Sequence, residues 1–427
     1  ASVLEDLGIM QGDGSGNFMP DKAVTRAQMA IIVCRILYGN KLNVSQFEGT
    51  TQYTDVGAND YYTGYINLAT QLGIIGGYGD GRFGPNDTVT TAQAALMLSR
   101  ALGYFKGSEI AQATDWALAS IAQATKINMF GNLNLPTNAE LARDNVAEMV
   151  FNAITKTVPV QYNELLGVYY NENQGIIYSL EFNYLQTLGY KNFDLVYKSD
   201  TRDMYGRPAT TWGVGRYNAG NSTTSSGTIT KTDQLTTDGG LKPSLVRLQE
   251  KDEIITVPNV PTYVYTNKTN EKDVYSDLGK TVCTDTTKDK DRGYVWTAYV
   301  NGKEVEEKVA GKDGKDLIPK SGTAGDKRYI YTAKGTQTEI YIDDDEQTVD
   351  VIEINYYIGQ VSSVKEDSNG RYVTVKELSE GSKLNLRTFF TSDYAEDDYV
   401  IYTIDYVEDD KDYVIGEMFE PEIVTGE

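Results

Sequence analysis

Histidine is absent from this 427-residue chain, and cysteine occurs only twice. The first absence removes the side chain that most often serves as a general base and as a transition-metal ligand. Two cysteines without a Cys-x-x-Cys pair exclude a small domain held together by several disulfides. Cys34 lies in the apolar run "MAIIVCRIL" and is predicted to be a buried small hydrophobic residue. A Cys34–Cys283 disulfide is the alternative, because the sequence does not give the distance between the two residues.

Long apolar runs are also missing, and no segment approaches the length of a membrane-spanning helix, so we expect no membrane insertion. No signal peptide is visible, an absence that has no meaning if the chain is a processed form. The sequence contains no P-loop, no dinucleotide fingerprint and no serine or cysteine partnered by histidine. Acidic residues are too common to identify a pair of glycosidase carboxylates. The acidic run at 343–345 is predicted to be a solvated turn between strands.

Basic residues are scarce relative to acidic ones, and the formal net charge is −22. Residues 1–158 hold 10 basic and 14 acidic residues, a net charge of −4, which leaves −18 for the rest of the chain. Such an acidic surface repels nucleic acid and anionic lipid, so neither is an expected partner. It is typical of an extracellular protein that must stay soluble or that binds cations.

What the chain does contain is an internal repeat. The stretch "GDGSGNFMPDKAVTRAQMA" (12–30) returns 65 positions later as "GYGDGRFGPNDTVTTAQAA" (77–95), and a weaker third copy covers 127–154. In each copy a loop joins two stretches with the apolar spacing of helices. Thr25 and Thr90 are predicted helix N-caps, because a glutamine follows each of them three residues later.

The copies are bounded at 1–38, 53–104 and 114–155. One helix–loop–helix cannot bury its own apolar stripe, so the three copies are predicted to pack together.

The repeat resembles the S-layer homology (SLH) motif, F-x-D-V…W-A…A-I…G-I-x-x-G…D-G-x-F-x-P…T-R-A-E, over residues 1 to about 155. The resemblance implies a pseudo-threefold bundle with grooves between its lobes. It also implies that these grooves hold secondary cell-wall polysaccharide, often capped by a pyruvylated amino sugar. The polysaccharide-binding residues implied by the resemblance are Arg26, Arg143, Tyr61, Trp116, Thr25, Gly12, Gly14, Gly77 and Gly79.

The chemistry of such a ligand explains these residue types. A pyruvate ketal carries a carboxylate, and an arginine at a helix start offers a planar fork beside free N–H groups and the positive helix end. Tyr61 and Trp116 would be platforms for the apolar face of a sugar ring. Contacts inside the bundle are the alternative for both arginines and both aromatics. Copy two carries Thr91 where the arginine is expected, so at most two arginine grooves are predicted.

The loop "GDGSGNF" is also a weak calcium candidate. Asp13, Ser15 and Asn17 alternate as oxygen ligands could, but the acidic residue that closes an EF-hand loop is absent. A plain turn is the preferred interpretation. Calcium is the one cofactor that the sequence leaves open.

Beyond residue 158 the sequence is rich in Tyr, Thr and Val, which is typical of strands. We predict a β-rich domain at 159–350 with a long polar loop at 215–240, and a second β module at 351–427. Hairpins are predicted at 173–175, at Asn301-Gly302 and at Asn369-Gly370. Residues 358–360 and 425–427 look like the same module entry, so the last module and the chain as a whole are expected to be cut from a longer protein.

The predicted class is therefore α+β multidomain: a helical SLH bundle followed by Tyr-rich all-β domains, each a sandwich or a small barrel. The first functional hypothesis is a structural, non-enzymatic cell-surface subunit of an S-layer or similar array. It would be anchored non-covalently to wall polysaccharide and would self-associate outside the cell. The alternative is an SLH-tethered carbohydrate-active enzyme or glycan-binding module.

Overall fold

The computed structural model describes two compact units. The described residues are 1–12, 17–39, 42–106, 113–131, 133–173, 176–178, 183–214, 216–217, 246–248, 250–266, 274, 276–279, 282, 294–305, 335–367, 370–378, 389–390, 394–409 and 411–419. Unit 1 comprises residues 1–198 and 211–255, and unit 2 comprises residues 199–210 and 256–427. This division differs from the predicted boundaries after residues 158 and 350.

Helices form the first part of unit 1. They are α1 (Ser2–Asp6), α2 (Arg26–Tyr38), α3 (Thr63–Gln71), α4 (Thr91–Ala101), α5 (Trp116–Lys126) and α6 (Arg143–Lys156), with a 3-10 turn at Val44–Phe47. The predicted apolar stripe of α2 is buried, with Met29, Val33 and Ile36 inaccessible to solvent. The capping boxes at Thr25 and Thr90 are confirmed, because each threonine hydroxyl accepts a backbone N–H and each partner glutamine side chain accepts the threonine N–H.

Backbone hydrogen bonds join the three copies in a closed cycle. Val24 N–H donates to Leu141 O (2.9 Å), Leu141 N–H donates to Val89 O (3.1 Å), and Val89 N–H donates to Val24 O (2.9 Å). All three side chains are fully buried. Each of these residues directly precedes the N-cap of α2, α4 or α6, so the second helix of every copy begins next to both other copies.

The chain after α6 continues to pack on the helices of unit 1. The hydroxyl of Tyr184, a fully buried side chain, donates to Ile36 O at the end of α2 at 2.5 Å. Asn192 Nδ2 donates to Leu37 O in the same turn of that helix. A boundary after residue 158 therefore separates residues that share one core, which is why the unit extends to residue 198.

The strands begin after α6. They are β1 (Gln161–Asn163), β2 (Val168–Asn173), β3 (Ile176–Tyr178), β4 (Val196–Arg202), β5 (Pro208–Gly213), β6 (Arg216–Tyr217), β7 (Val246–Arg247), β8 (Glu253–Pro258), β9 (Tyr263–Tyr265), β10 (Val295–Val300), β11 (Lys303–Glu304), β12 (Thr336–Asp343), β13 (Thr348–Asn355), β14 (Tyr357–Asp367), β15 (Gly370–Glu377), β16 (Phe389–Phe390), β17 (Tyr399–Val407) and β18 (Asp412–Phe419). A π-helical turn (Leu185–Gly189) and α7 (Tyr190–Phe193) lie between β3 and β4, and a 3-10 turn (Glu250–Asp252) precedes β8.

Two five-stranded sheets dominate unit 2. Their strand orders are β11-β10-β13-β12-β9 and β16-β15-β14-β17-β18, and the smaller sheets of the chain are β1-β2-β3, β4-β5-β8 and β6-β7. Strands β10 and β13 pair in parallel, whereas neighbouring strands of the second large sheet pair antiparallel. Each large sheet has its own buried cluster, with Ile340 and Val351 in the first and Val373 and Tyr402 in the second. Helices thus precede sheets, as an α+β class requires.

The first two predicted hairpins are present. Strands β10 and β11 are joined by Asn301 and Gly302, with φ values of 48° and 78°. Positive φ at both central residues is the requirement of a type I′ turn, which Asn-Gly meets at least cost. Strands β2 and β3 also pair, closing with Asn173 opposite Ile176. Most of the predicted polar loop, residues 218–240, lies outside the described residues.

The third predicted hairpin differs in register. Strands β14 and β15 pair antiparallel, so the hairpin is present, but Gly370 pairs with Asp367 and belongs to β15 rather than to the turn. The predicted boundary after residue 350 lies inside β13, where Asp350 pairs with Tyr341 and the ladder is unbroken. The hydrophobic alternation that marks strands does not indicate which of them share a sheet.

Cys34 lies in α2 with no solvent exposure, as predicted, and its Sγ is 3.5 Å from Tyr65 O. Burial raises the pKa of this thiol to about 12. Its suggested partner Cys283 lies outside the described residues.

Candidate functional site

Arg26 joins the start of α2 to the glycine-rich loop of copy two. Its Nε donates to Phe83 O (2.9 Å) and its Nη2 donates to Gly76 O (2.8 Å). The guanidinium carbon lies 4.8 Å from the ring centre of Tyr78 and 4.7 Å from that of Phe83. The side chain is therefore held by two carbonyl oxygens and two aromatic rings of the neighbouring copy.

Arg143 makes the corresponding two carbonyl contacts between copies three and one, with one aromatic ring in place of two. Its Nε donates to Phe18 O (2.8 Å), its Nη2 donates to Gln11 O (2.7 Å), and its guanidinium carbon lies 4.8 Å from the Phe18 ring centre. Arg26 is 4% exposed and Arg143 is 8% exposed. Within the described residues neither arginine forms an ion pair, and neither Nη1 atom has a hydrogen-bond partner.

The third junction lacks this cation. Thr91 begins α4, is fully buried, and donates through Oγ1 to Ala139 O at 3.4 Å. The junction between copies two and three is therefore neutral at this position, while the other two junctions each bury a positive charge.

The N–H groups at these helix starts are not free, which corrects the sequence-based expectation. Arg26 N–H donates to Asp87 O (2.9 Å) and Arg143 N–H donates to Lys22 O (3.0 Å). The equivalent group of Thr91 donates to Ala139 O (3.0 Å). A buried backbone donor must find an acceptor, and the neighbouring copy supplies it. Any ligand at these junctions has to be held by side chains.

Burial is the main influence on the two arginines and lowers the pKa of each. The electrostatic influence of Tyr78 and Asp87 opposes the effect of burial on the pKa of Arg26, and that of Glu5 opposes it on the pKa of Arg143. Because the ordinary pKa of arginine is so high, both side chains remain charged at neutral pH.

Asp55 fixes the glycine-rich loop of copy two from the preceding "YTDV" segment. Its Oδ1 accepts the Phe83 N–H and its Oδ2 accepts the Gly84 N–H, both at 2.8 Å. Burial alone would raise the pKa of Asp55, but these hydrogen bonds and the nearby Arg82 charge lower it. The carboxylate thus positions the Phe83 carbonyl oxygen that accepts the hydrogen bond from Arg26.

The loop glycines have steric reasons for their identity. A Cβ at Gly77 would overlap Arg82 O and lie 2.7 Å from a Tyr53 ring carbon, and a Cβ at Gly12 would lie 2.7 Å from Asn17 O. Gly79 has φ of +88°, a conformation that favours glycine. Gly14 lies outside the described residues, as do Asp13 and Ser15 of the suggested calcium loop.

The two predicted platforms are exposed to solvent. Tyr61 is 71% exposed and stacks edge-on against Tyr62, with ring centres 4.9 Å apart. Trp116 is 44% exposed at the start of α5, where Asp115 Oδ1 accepts the N–H groups of the next turn. The inter-repeat packing that was the alternative for these rings does not bury them. Both rings are therefore accessible to a ligand from solvent.

Tyr78 and Asp87 are site residues that sequence reasoning missed. Tyr78 is 45% exposed, covers the Arg26 guanidinium, and donates through its hydroxyl to Asp87 Oδ2 at 2.9 Å. The signal was an aromatic residue inside the "GYGDG" loop, for which copy one has no counterpart. In that loop Arg82 pairs with Asp80 at 2.7 Å on the surface.

Neither a membrane span nor a metal cluster is found in the described parts of the chain. None of the described helices is both long and apolar enough to cross a membrane. Among the same residues, no group of three or more Asp, Glu, Cys or His could hold a metal ion.

Comparison with known proteins finds a family match in two stretches of the helical part of the chain. Residues 2–30 and 52–95 match the family model described as "S-layer homology domain". The chain therefore carries S-layer homology sequence in copies one and two, which confirms the resemblance there, whereas Trp116 and Arg143 of copy three lie outside the matched residues.

The relatives include surface proteins of bacteria. "Middle cell wall protein" of Brevibacillus brevis is 36% identical over 154 residues, which is 35% of this chain and 14% of that protein. "Surface layer protein" of Brevibacillus choshinensis is 35% identical over 154 residues, 35% of this chain and 13% of that protein. "Amylopullulanase" of Thermoanaerobacterium thermosulfurigenes is 29% identical over 160 residues, 33% of this chain and 8% of that protein. The matches thus span about a seventh or less of these relatives.

Proposed function

We propose that this chain is a structural subunit of a bacterial surface layer, held outside the cell on secondary cell-wall polysaccharide by its three N-terminal copies. The observation that carries the proposal is the S-layer homology match of residues 2–30 and 52–95. It is supported by the similarity of the chain to proteins named for the cell wall and the surface layer. The β-rich remainder of the chain then builds the layer itself.

We propose further that the copies form a pseudo-threefold bundle. The cyclic hydrogen bonds among Val24, Val89 and Leu141 support this arrangement, as do the equivalent contacts of Arg26 and Arg143 with their neighbouring loops. The grooves of this bundle are the junctions between successive copies.

An anionic sugar suits the two arginine junctions. Arg26 and Arg143 each carry a positive charge that no carboxylate neutralises by a direct ion pair within the described residues, and each keeps one amino group without a protein acceptor there. A carboxylate such as that of a pyruvylated sugar can accept a charge-assisted hydrogen bond from this group. The buried Thr91 leaves the third junction without such a donor, so we assign it the weakest binding.

A wall-tethered enzyme is the second candidate, because a protein named amylopullulanase is 29% identical over 160 residues, a third of the chain. In that case unit 2 would need a cleft lined by two carboxylates. We favour the structural role because the two relatives with higher identity are named for the wall and the layer, not for a reaction.

The exposed aromatics provide a test that leaves the fold intact. We expect Tyr61→Ala and Trp116→Ala each to weaken binding of the full chain to purified wall polysaccharide by about 5- to 150-fold, because each removes a sugar-stacking surface of about 1–3 kcal/mol. Tyr38, 38% exposed at the end of α2, is the matched control, and Tyr38→Ala should bind like the wild type. Unchanged affinity in both variants at unchanged melting temperature would remove the platforms from the proposal.

Self-association is expected to depend on divalent cations. The −18 charge of residues 159–427 makes neighbouring subunits repel one another over about 8 Å at physiological salt. Calcium bridging between Asp and Glu side chains neutralises this charge locally. Light scattering of the full chain should therefore show larger particles in millimolar calcium and their loss on chelation. A protein that stays monomeric at high concentration with calcium would contradict the array.

A further inference from the structure

Unit 2 contains a buried carboxylate with one unsatisfied oxygen. Asp405 lies on β17 and is 8% exposed, and its Oδ1 is buried without a hydrogen-bond partner in the described part of the chain. Among those residues no Lys or Arg forms an ion pair with it. A buried, unpaired charge is costly, so such a group is either neutral or bound to something.

A second oxygen lies beside it. A Cβ at Gly302, in the β10–β11 turn, would overlap both Asp405 Oδ1 and Met204 O, so both atoms lie against the side of Gly302 where a side chain would begin. No described N–H or O–H group donates to Met204 O. Tyr406 N lies 3.1 Å from the same Cβ position, but its N–H donates to Asn301 O (3.1 Å), so neither Asp405 Oδ1 nor Met204 O has a donor of its own among the described residues.

Met204 belongs to a tight turn, residues 203–207, that packs on β17. Asp203 Oδ1 accepts the N–H groups of Tyr205 (3.0 Å) and Arg207 (2.9 Å), and Arg207 Nε donates to Asp203 Oδ2 at 2.6 Å. Tyr205 is 1% exposed, and its hydroxyl lies 2.5 Å from Thr403 Oγ1. Thr403 is two residues before Asp405, so both side chains point to the same face of β17.

We propose that Asp405 is the proton-binding group of a pH-sensitive latch, made of Asp405, Met204 O and the turn 203–207. In the closed latch the neutral carboxyl donates its O–H to Met204 O, which satisfies both oxygens. Loss of the proton leaves a buried carboxylate against a carbonyl oxygen, and the two repel each other. The turn 203–207 then separates from β17.

The charges around Asp405 favour the proton. Asp203 of the turn is the charged group whose field acts on Asp405, and Tyr205 of the same turn lies in the fields of Asp405, Arg207 and Glu417 of β18. Arg207 is engaged by Asp203 and, at 3.7 Å, by Glu339. Lys303 lies over the Tyr406 ring. Burial, and next the charge of Asp203, raise the pKa of Asp405 to about 7, against a smaller opposing effect of the Tyr406 N–H.

A metal ion suits this place less well. Calcium takes six to eight oxygen ligands, whereas Gly302 occupies the space beside the two oxygens present here. Asp203, the nearest other carboxylate, already accepts three hydrogen bonds within its own turn. The proton needs no further ligand.

The direction of the pH response follows from the raised pKa. Asp405 holds its proton more tightly in the closed latch than in the open one, where its pKa is that of an ordinary aspartate. The closed state is therefore fully favoured below about pH 4, and it is progressively lost as pH rises to about 7. Above about pH 7 the opening constant rises by only about a further twofold before it levels off.

Hydrogen exchange of the full chain at pH 5 and pH 7 tests the latch. Once intrinsic exchange rates are taken into account, the opening constant of the backbone amides of 203–207 should rise about 50-fold between the two pH values. Asp405→Asn, whose amide keeps a donor for Met204 O, should abolish this rise. Asp409→Asn removes an exposed carboxylate just beyond the same strand, and it should keep the wild-type rise.

Several outcomes would overturn the proposal. These are a wild-type opening constant that is the same at both pH values, a full rise retained in Asp405→Asn, or closure driven by calcium instead of by protons. If Asp405→Asn does not fold, infrared absorption of the wild type decides. A protonated carboxyl band present at pH 6 and lost at pH 9 supports the latch, and its absence at pH 6 contradicts it.

Discussion

Arg26→Ala is expected to lower the free energy of unfolding of unit 1 by about 3–5 kcal/mol, because a charged donor is removed from two buried carbonyl oxygens. Phe83 O and Gly76 O lose hydrogen bonds of 2.9 and 2.8 Å, and the two rings that flank the guanidinium lose their contact. Denaturant unfolding of the full chain, followed by a signal from the helices, measures the change. Arg143→Ala should behave in the same way, since its contacts are equivalent.

Two variants separate geometry from charge. Arg26→Lys keeps the positive charge but cannot donate to both carbonyls from one ammonium group, so it should recover less than half of the loss. Arg82→Ala removes an arginine of the same loop whose side chain is 58% exposed, and it should change stability by less than about 0.5 kcal/mol. A stable Arg26→Ala would show that the arginine does not join the copies. Because Arg26→Ala is expected to lower stability, its binding to wall polysaccharide must be compared with that of Thr91→Ala at equal folded fraction.

Tyr184→Ala is expected to destabilise unit 1 by about 3–5 kcal/mol, because it empties a fully buried aromatic site. Tyr184→Phe keeps the ring and loses only the hydrogen bond to Ile36 O, and it should cost about 1–2 kcal/mol. The same unfolding measurement of the full chain reports both. Tyr170, whose hydroxyl bonds to Gln161 on the surface, is the matched control, and Tyr170→Phe should be neutral.

The Tyr184 variants would also decide the boundary of the N-terminal unit. If Tyr184→Ala lowers the free energy of unfolding measured by the helical signal, residues 159–198 belong to the same cooperative unit as α2. A helical transition unchanged in Tyr184→Ala would instead support the boundary predicted after residue 158.

Local features of the fold were predictable from sequence, and contacts between copies were not. The caps at Thr25 and Thr90 depend on a glutamine three residues away, and the Asn301-Gly302 turn depends on two adjacent residues. The acceptors of Arg26 and Arg143 lie as far as 57 and 132 residues away in sequence. Contacts inside the bundle were the stated alternative for both arginines, but backbone carbonyls leave no pattern in the residue types, so their particular acceptors could not be predicted.

Packing between copies also explains why the expected free N–H groups are not found. A helix start looks like an anion site when it is considered alone. In the bundle, the loop of the next copy supplies carbonyl oxygens to those donors, as Asp87 O does for Arg26 N–H. The exposure of Tyr61 likewise depends on packing, whereas its aromatic type was visible in the sequence.

Binding of the full chain to cell walls, with and without their secondary polysaccharide, tests the central proposal most directly. Cosedimentation should recover the protein with intact walls, and the recovery should fall to background after the polysaccharide is extracted. Adding back the purified polysaccharide in solution should compete for the protein. Equal binding to intact and extracted walls, without competition, would contradict anchoring through the N-terminal copies.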